Sequence, residues 1–74
     1  MKKPTTNDIY ELYQEVKNLR GLQRQQVSAL FGRSAGVSPG TADNWIGGYK
    51  NCPPACWRCL NLDFRGIDIN HKGE

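Results

Sequence analysis

From residue 8 to residue 20 the apolar positions recur at intervals of three and four. Ile9, Leu12, Tyr13, Val16 and Leu19 therefore line one face of a helix. Asn7 and Asp8 offer capping oxygens, and Glu11 follows Asp8 at capping-box spacing. Gly21 stands where a left-handed residue would end the helix. A second amphipathic stretch has Leu22 leading in and Gln23, Arg24, Gln25 and Gln26 at its start, with Val27, Leu30 and Phe31 sharing a face. It either stops at Gly32 or gains a turn from the small, polar segment GRSAG, which otherwise reads as a loop. Ser38 is a strong cap for a third helix, with Pro39 at its first position and Gly47-Gly48 as its stop. A fourth, short and apolar, opens at Pro53-Pro54 and carries Ala55, Cys56, Trp57, Cys59, Leu60 and Leu62. Alternation at Ile67 and Ile69 suggests a short strand before the end.

These elements predict an all-α domain of four to five short helices with a short C-terminal strand or tail. Residues 1–7 read as a basic N-terminal arm containing Lys2 and Lys3, 8–63 as the helical domain and 64–74 as the strand or tail. The expected core is Leu12, Val16, Leu19, Leu22, Val27, Leu30, Val37, Trp45, Ile46, Trp57 and Leu60. Both tryptophans belong to that core; a single-strand binder would need stacking rings in a basic groove, commonly on a sheet.

Length and charge narrow the functional classes. The 74 residues make one small domain, with little room for the walls of a catalytic cleft. Ten Lys and Arg against seven Asp and Glu leave a net charge of +3, which suits a polyanionic partner without demanding one. No apolar run approaches the ~20 residues of a membrane span, and MKKPTTND lacks the apolar stretch of a signal peptide. The expectation is a cytoplasmic protein with no membrane partner, in which Cys52, Cys56 and Cys59 stay reduced.

Two short helices joined by a tight connection, the second opened by Ser and closed by Gly-Gly, suit the major groove of duplex DNA. That groove admits one α-helix, and a preceding helix packed across it sets the angle. Here GLQRQQVSALFG (21–32) and VSPGTADNWIGG (37–48) resemble the lambda-repressor and Cro-like helix-turn-helix family. Its small phage-type members continue with a basic residue and prolines, as Lys50, Pro53 and Pro54 do here. The resemblance spans roughly residues 15–60 and departs from the family in three ways. Arg33-Ser34-Ala35-Gly36 is an insertion between the two helices. Arg24 replaces the glutamine that touches the backbone phosphate. The third helix has no Lys or Arg, and Gly40 fills a position that normally reads a base.

The resemblance implies a sequence-specific double-stranded DNA-binding transcriptional regulator of phage or prophage type, acting as a homodimer on a palindromic site. Arg24, Arg33 and Lys50 are the expected phosphate contacts, with Ser34 in the inserted segment beside them and Ser38 and Thr41 at the start of the third helix. Asn44 is the expected base reader, since its amide pairs bidentately with adenine. Asp43 offers an acceptor to cytosine, or a negative filter beside phosphates. Phe64–Ile69 is the expected dimer edge. Two other readings remain open: an excisionase-like protein that bends DNA, and a phage module that binds and inhibits a host protein.

Cys52, Cys56, Cys59 and His71 have spacings compatible with tetrahedral zinc, but Cys56 and Cys59 also fit an apolar packing face. The expectation is therefore no metal, no cofactor and no small-molecule substrate. No Ser or Cys is placed as an activated nucleophile, and His71 has only Asp68 nearby, so no enzyme is expected.

Overall fold

The computed structural model describes residues 3–69. Its four helices are α1 (Thr6–Arg20), α2 (Arg24–Ala35), α3 (Pro39–Gly47) and α4 (Pro54–Phe64). The all-α expectation holds, and among the described residues there is no strand. None of these helices is long and apolar enough to cross a membrane.

α1 begins at Thr6, two residues before the start expected at residue 8. Thr5, not Asn7 or Asp8, is the cap: its hydroxyl accepts from the Asp8 N–H, and the Asp8 carboxylate accepts from the Thr5 N–H at 2.9 Å. Residues 5–7 thus belong to the helix and its cap, and Pro4 is buried, which shortens the expected arm. Gly21 closes α1 in the left-handed conformation at φ 64°.

Ile9, Leu12, Tyr13 and Val16 of α1 meet Val27 and Phe31 of α2, Ala42, Trp45 and Ile46 of α3, and Trp57 and Leu60 of α4 in one core. Leu19 does not join it, being 85% exposed. Arg20, itself exposed, is the residue at this end of α1 that reaches α4, its guanidinium lying 5.4 Å from the centre of the Phe64 ring. Leu22, Leu30 and Val37 are partly buried at the margin.

α2 does not end at Gly32. It runs on to Ala35 and is capped by left-handed Gly36, so the insertion lengthens the helix by about one turn rather than bulging the connection. Gly32 has a different task. A Cβ there would stand 2.7 Å from the Val37 carbonyl oxygen and 3.1 Å from the Ser38 backbone, so only glycine lets residues 36–38 fold this closely onto α2.

Residues 65–69 wrap back onto the helices and form no strand. Phe64 is the last residue of α4 and packs on Phe31 with ring centres 5.3 Å apart. Gly66 turns left-handed, Ile67 is exposed and Ile69 packs against the core. Arg65 donates to both Glu15 carboxylate oxygens and to Asn61 Oδ1, and Arg58 donates to both oxygens of Asp68. The expected Phe64–Ile69 dimer edge is therefore absent as a strand edge. Residues 70–74 lie outside the described residues.

Candidate nucleic-acid interface

α3 packs against α2, with the chain reversing between them at residues 36–38. Arg24 and Ser28 meet Asp43, and one turn further along Gly32 meets Val37 and Ser38. Ala42, Trp45 and Ile46 are the buried side of α3. Helical periodicity then puts Gly40, Asn44 and Gly47 on its outward side, with Asp43 on the flank toward α2 and Thr41 on the other.

The start of α3 is built by its own sequence. Ser38 Oγ accepts from the Thr41 N–H at 3.2 Å and lies 3.0 Å from Thr41 Oγ1, while Pro39 occupies the first turn, where no donor is needed. Gly40 leaves the backbone bare: the nearest atom to a Cβ placed there is Ser38 Oγ, at 4.0 Å. Arg24, Gln25, Ser28, Pro39, Gly40 and Asp43 enclose a shallow groove of about 570 Å³ between the two helices.

At the other end of α3, left-handed Gly48 turns the chain, and the Tyr49 and Lys50 N–H groups both donate to the Asn44 carbonyl. Tyr49 is 81% exposed beside exposed Lys50, and its ring closes over Gly47. The sequence reading missed Tyr49. Its signal was an aromatic directly after a Gly-Gly helix stop, where the chain has already left the core.

Arg24, Ser38, Gly40, Thr41, Asn44 and Lys50 thus gather on or around α3. Arg33 and Ser34 do not. Arg33 follows Arg24 by nine residues, about half a turn round α2, and lines a cleft with Arg20, Leu30, Ser34, Asp63 and Phe64. Ser34 is already engaged, donating to the Asp63 carboxylate and lying 3.3 Å from the Cys59 carbonyl. It ties α2 to α4.

Arg24 is not an unpaired phosphate ligand either. Its Nε donates to Asp43 Oδ1 at 2.7 Å, and the same oxygen accepts from Ser28 Oγ at 3.1 Å. Hydrogen bonding to Arg24 holds the Asp43 carboxyl below the usual range against an opposing effect of burial, and it raises Arg24 in return. Among the described residues, no ion pair engages Lys50, Arg33 or Lys3.

The cysteines do not gather. Cys52 is buried with its thiol directed to the Pro53 carbonyl, Cys56 Sγ stands 4.0 Å from the Ala35 carbonyl, and Cys59 is exposed. Burial pushes the Cys52 thiol up to about 12 and raises Cys56 as well, which opposes the thiolate form that zinc needs. Among the described residues no three His, Cys, Asp or Glu side chains form a group able to hold a metal, and His71 lies outside them. No protein-family model, curated protein or solved structure matches the chain.

Proposed function

We propose that the chain is a helix-turn-helix protein that binds double-stranded DNA, in transcriptional control of the phage or prophage type, and that it works as a cytoplasmic homodimer rather than an enzyme. The observation that carries this reading is α3: one side is locked onto α2 by a glycine-tight turn, and the other presents Gly40, Asn44 and Gly47 to solvent. A helix so held can enter a major groove without clashing with the element behind it. Its bare first turn lets a phosphate approach the Gly40 N–H, and Lys50 at the far end supplies a cation that no ion pair engages among the described residues. Asn44 is the base-reading amide on that face. One α3 reaches few bases, so two copies on half-sites ~34 Å apart supply the remaining specificity.

The test is fluorescence anisotropy with the duplex flanking the chain's own gene and with a scrambled duplex of equal length, across a salt series. Tighter binding to the first, with affinity falling as salt rises, is expected. Asn44→Ala should relax preference at one position by ~1–3 kcal/mol, whereas Lys50→Ala should weaken all duplexes alike. No binding to either duplex at low salt refutes the reading and favours the protein-binding alternative.

A further inference from the structure

α3 carries no cation of its own on its outward face, yet a guanidinium lies on that face. Arg24 reaches over from α2, and its Nη2 stands 3.1 Å from the point that a Cβ on Gly47 would occupy. Tyr49 Cε2 stands 2.9 Å from the same point, so the missing side chain at 47 makes room for both groups. The guanidinium is held from one edge. Nε donates to Asp43 Oδ1 at 2.7 Å and Nη2 stands 3.5 Å from the Asp43 carbonyl oxygen. Nη1 has no hydrogen-bond partner among the described residues, and the side chain remains 44% exposed. Ser28, buried on α2, bonds the same carboxylate oxygen and so steadies Asp43.

A guanidinium fixed side-on by a carboxylate keeps its end-on pair of N–H groups for a second planar partner. In the major groove, O6 and N7 of guanine present two acceptors at the matching spacing. A phosphate is a poorer fit for this arrangement. Phosphate affinity comes from uncompensated charge, and the Asp43 carboxylate cancels most of the charge of Arg24 while repelling a phosphate oxygen. Resting on the DNA-binding reading above, we infer that Arg24, held by Asp43 across Gly47, is a guanine-reading residue. The reading surface is thus assembled from two helices, with α3 supplying the Asn44 amide and α2 supplying the guanidinium. Asp43 is a positioning residue that acts through Arg24.

The test selects binding sites for the full chain from a duplex pool with a randomised core. Anisotropy then compares the selected duplex with versions in which each G·C pair is exchanged in turn. The chain should select guanine at one position and lose roughly ten- to hundredfold in affinity when that pair is exchanged. Arg24→Lys keeps the charge and removes the fork, so it should bind both duplexes equally with an unchanged salt slope and thermal melt. Asp43→Asn should weaken preference at that position and no other, while Asn44→Ala should alter a different one. Gly47→Ala crowds Nη2 without changing the pair's chemistry and should reduce the same preference, which covers an Arg24→Lys variant that fails to fold. Retained guanine preference in Arg24→Lys overturns the inference. So does an equal loss across all duplexes, the mark of a phosphate contact. Equal binding of every duplex by the unaltered chain overturns it while DNA binding stands, and no duplex binding at low salt overturns both.

Discussion

Replacing Gly32 by alanine tests how the turn is held against α2. In an exposed helix interior that change stabilises by roughly 1 kcal/mol, because glycine loses more backbone entropy on folding. Gly32 is buried, and its added Cβ would sit 2.7 Å from the Val37 carbonyl oxygen and 3.1 Å from both C and O of Ser38. All three neighbours are backbone atoms, so no side chain can swing away. The turn must move off the helix, and overpacking of this kind costs about 1–3 kcal/mol. A 2.7 Å approach to backbone belongs in the upper part of that range, and subtracting the propensity gain leaves a net loss of about 1–2 kcal/mol. In a domain of this size that lowers the melting temperature by roughly 5–15 °C.

Gly40→Ala is the matched control. It lies in the first turn of α3 with no atom nearer than 4.0 Å to the new Cβ, so it should raise stability by about 0.5–1 kcal/mol. Urea unfolding of the two variants and the parent, with m held common, reads the two opposite signs directly. A Gly32→Ala variant as stable as Gly40→Ala would refute the close approach of residues 36–38 to α2. If the approach is right, Gly32→Ala should also weaken DNA binding more than its stability loss accounts for, since the displaced turn re-aims α3.

Core and surface leucines of α1 should separate cleanly: Leu12→Ala loses about 2–5 kcal/mol in urea unfolding, whereas Leu19→Gln stays within about 0.5 kcal/mol. Phe31→Ala should cost about 3–5 kcal/mol, because Phe31 is fully buried and faces Phe64. Hydrogen bonding to Arg65 and Arg24 lowers the carboxyls of Glu15 and Asp43 in the folded state. Their contribution is present above the unfolded carboxylate range and is lost as pH falls through the lower folded values, so stability should drop between about pH 5 and pH 2. Both carboxylates are largely exposed, so each pair should account for only about 0.2–1 kcal/mol, and Glu15→Gln or Asp43→Asn should flatten the acid limb by that amount. Timed alkylation at pH 8 followed by intact mass should label Cys59 first, Cys56 more slowly and Cys52 only on unfolding; equal rates would contradict the burial order.

What the sequence disclosed about the fold was local. Ser38-Pro39, Gly21 and Gly48 act through their own backbone positions, and helical spacing alone put Val16, Trp45 and Leu60 inside. The misreadings share a different cause. Gly32 and Gly36 are both plausible helix ends by local rules, and only the approach of Val37 and Ser38 to Gly32 decides between them. Leu19 fits the apolar periodicity of α1 as well as Val16 does, but Arg20 and not Leu19 meets Phe64 at the end of that helix. The alternation of Ile67 and Ile69 is genuine, yet Gly66 and the Arg58–Asp68 pair bend those residues back onto the bundle, where only Ile69 finds the core.

The candidate site follows the same division. Gly40, Thr41 and Asn44 could be assigned to the side of one helix away from its buried residues from spacing, since a helix of nine residues leaves few alternatives. The surface chemistry of that helix could not, because it is completed from outside. Arg24 and Asp43 are nineteen positions apart in the chain, and no periodicity joins them. Read separately, Arg24 is a spare surface cation and Asp43 an acid poorly placed near phosphate. Joined at 2.7 Å over a glycine, they become one nearly neutral group with a donor edge left over, a change from charge attraction to shape recognition. Under the proposed DNA-binding function, an α3 poor in cations is therefore no argument against base reading, because α2 carries a guanidinium to its side. It predicts instead a protein with a modest salt slope for its size and a strong penalty at one guanine, a combination that phosphate contacts alone do not produce.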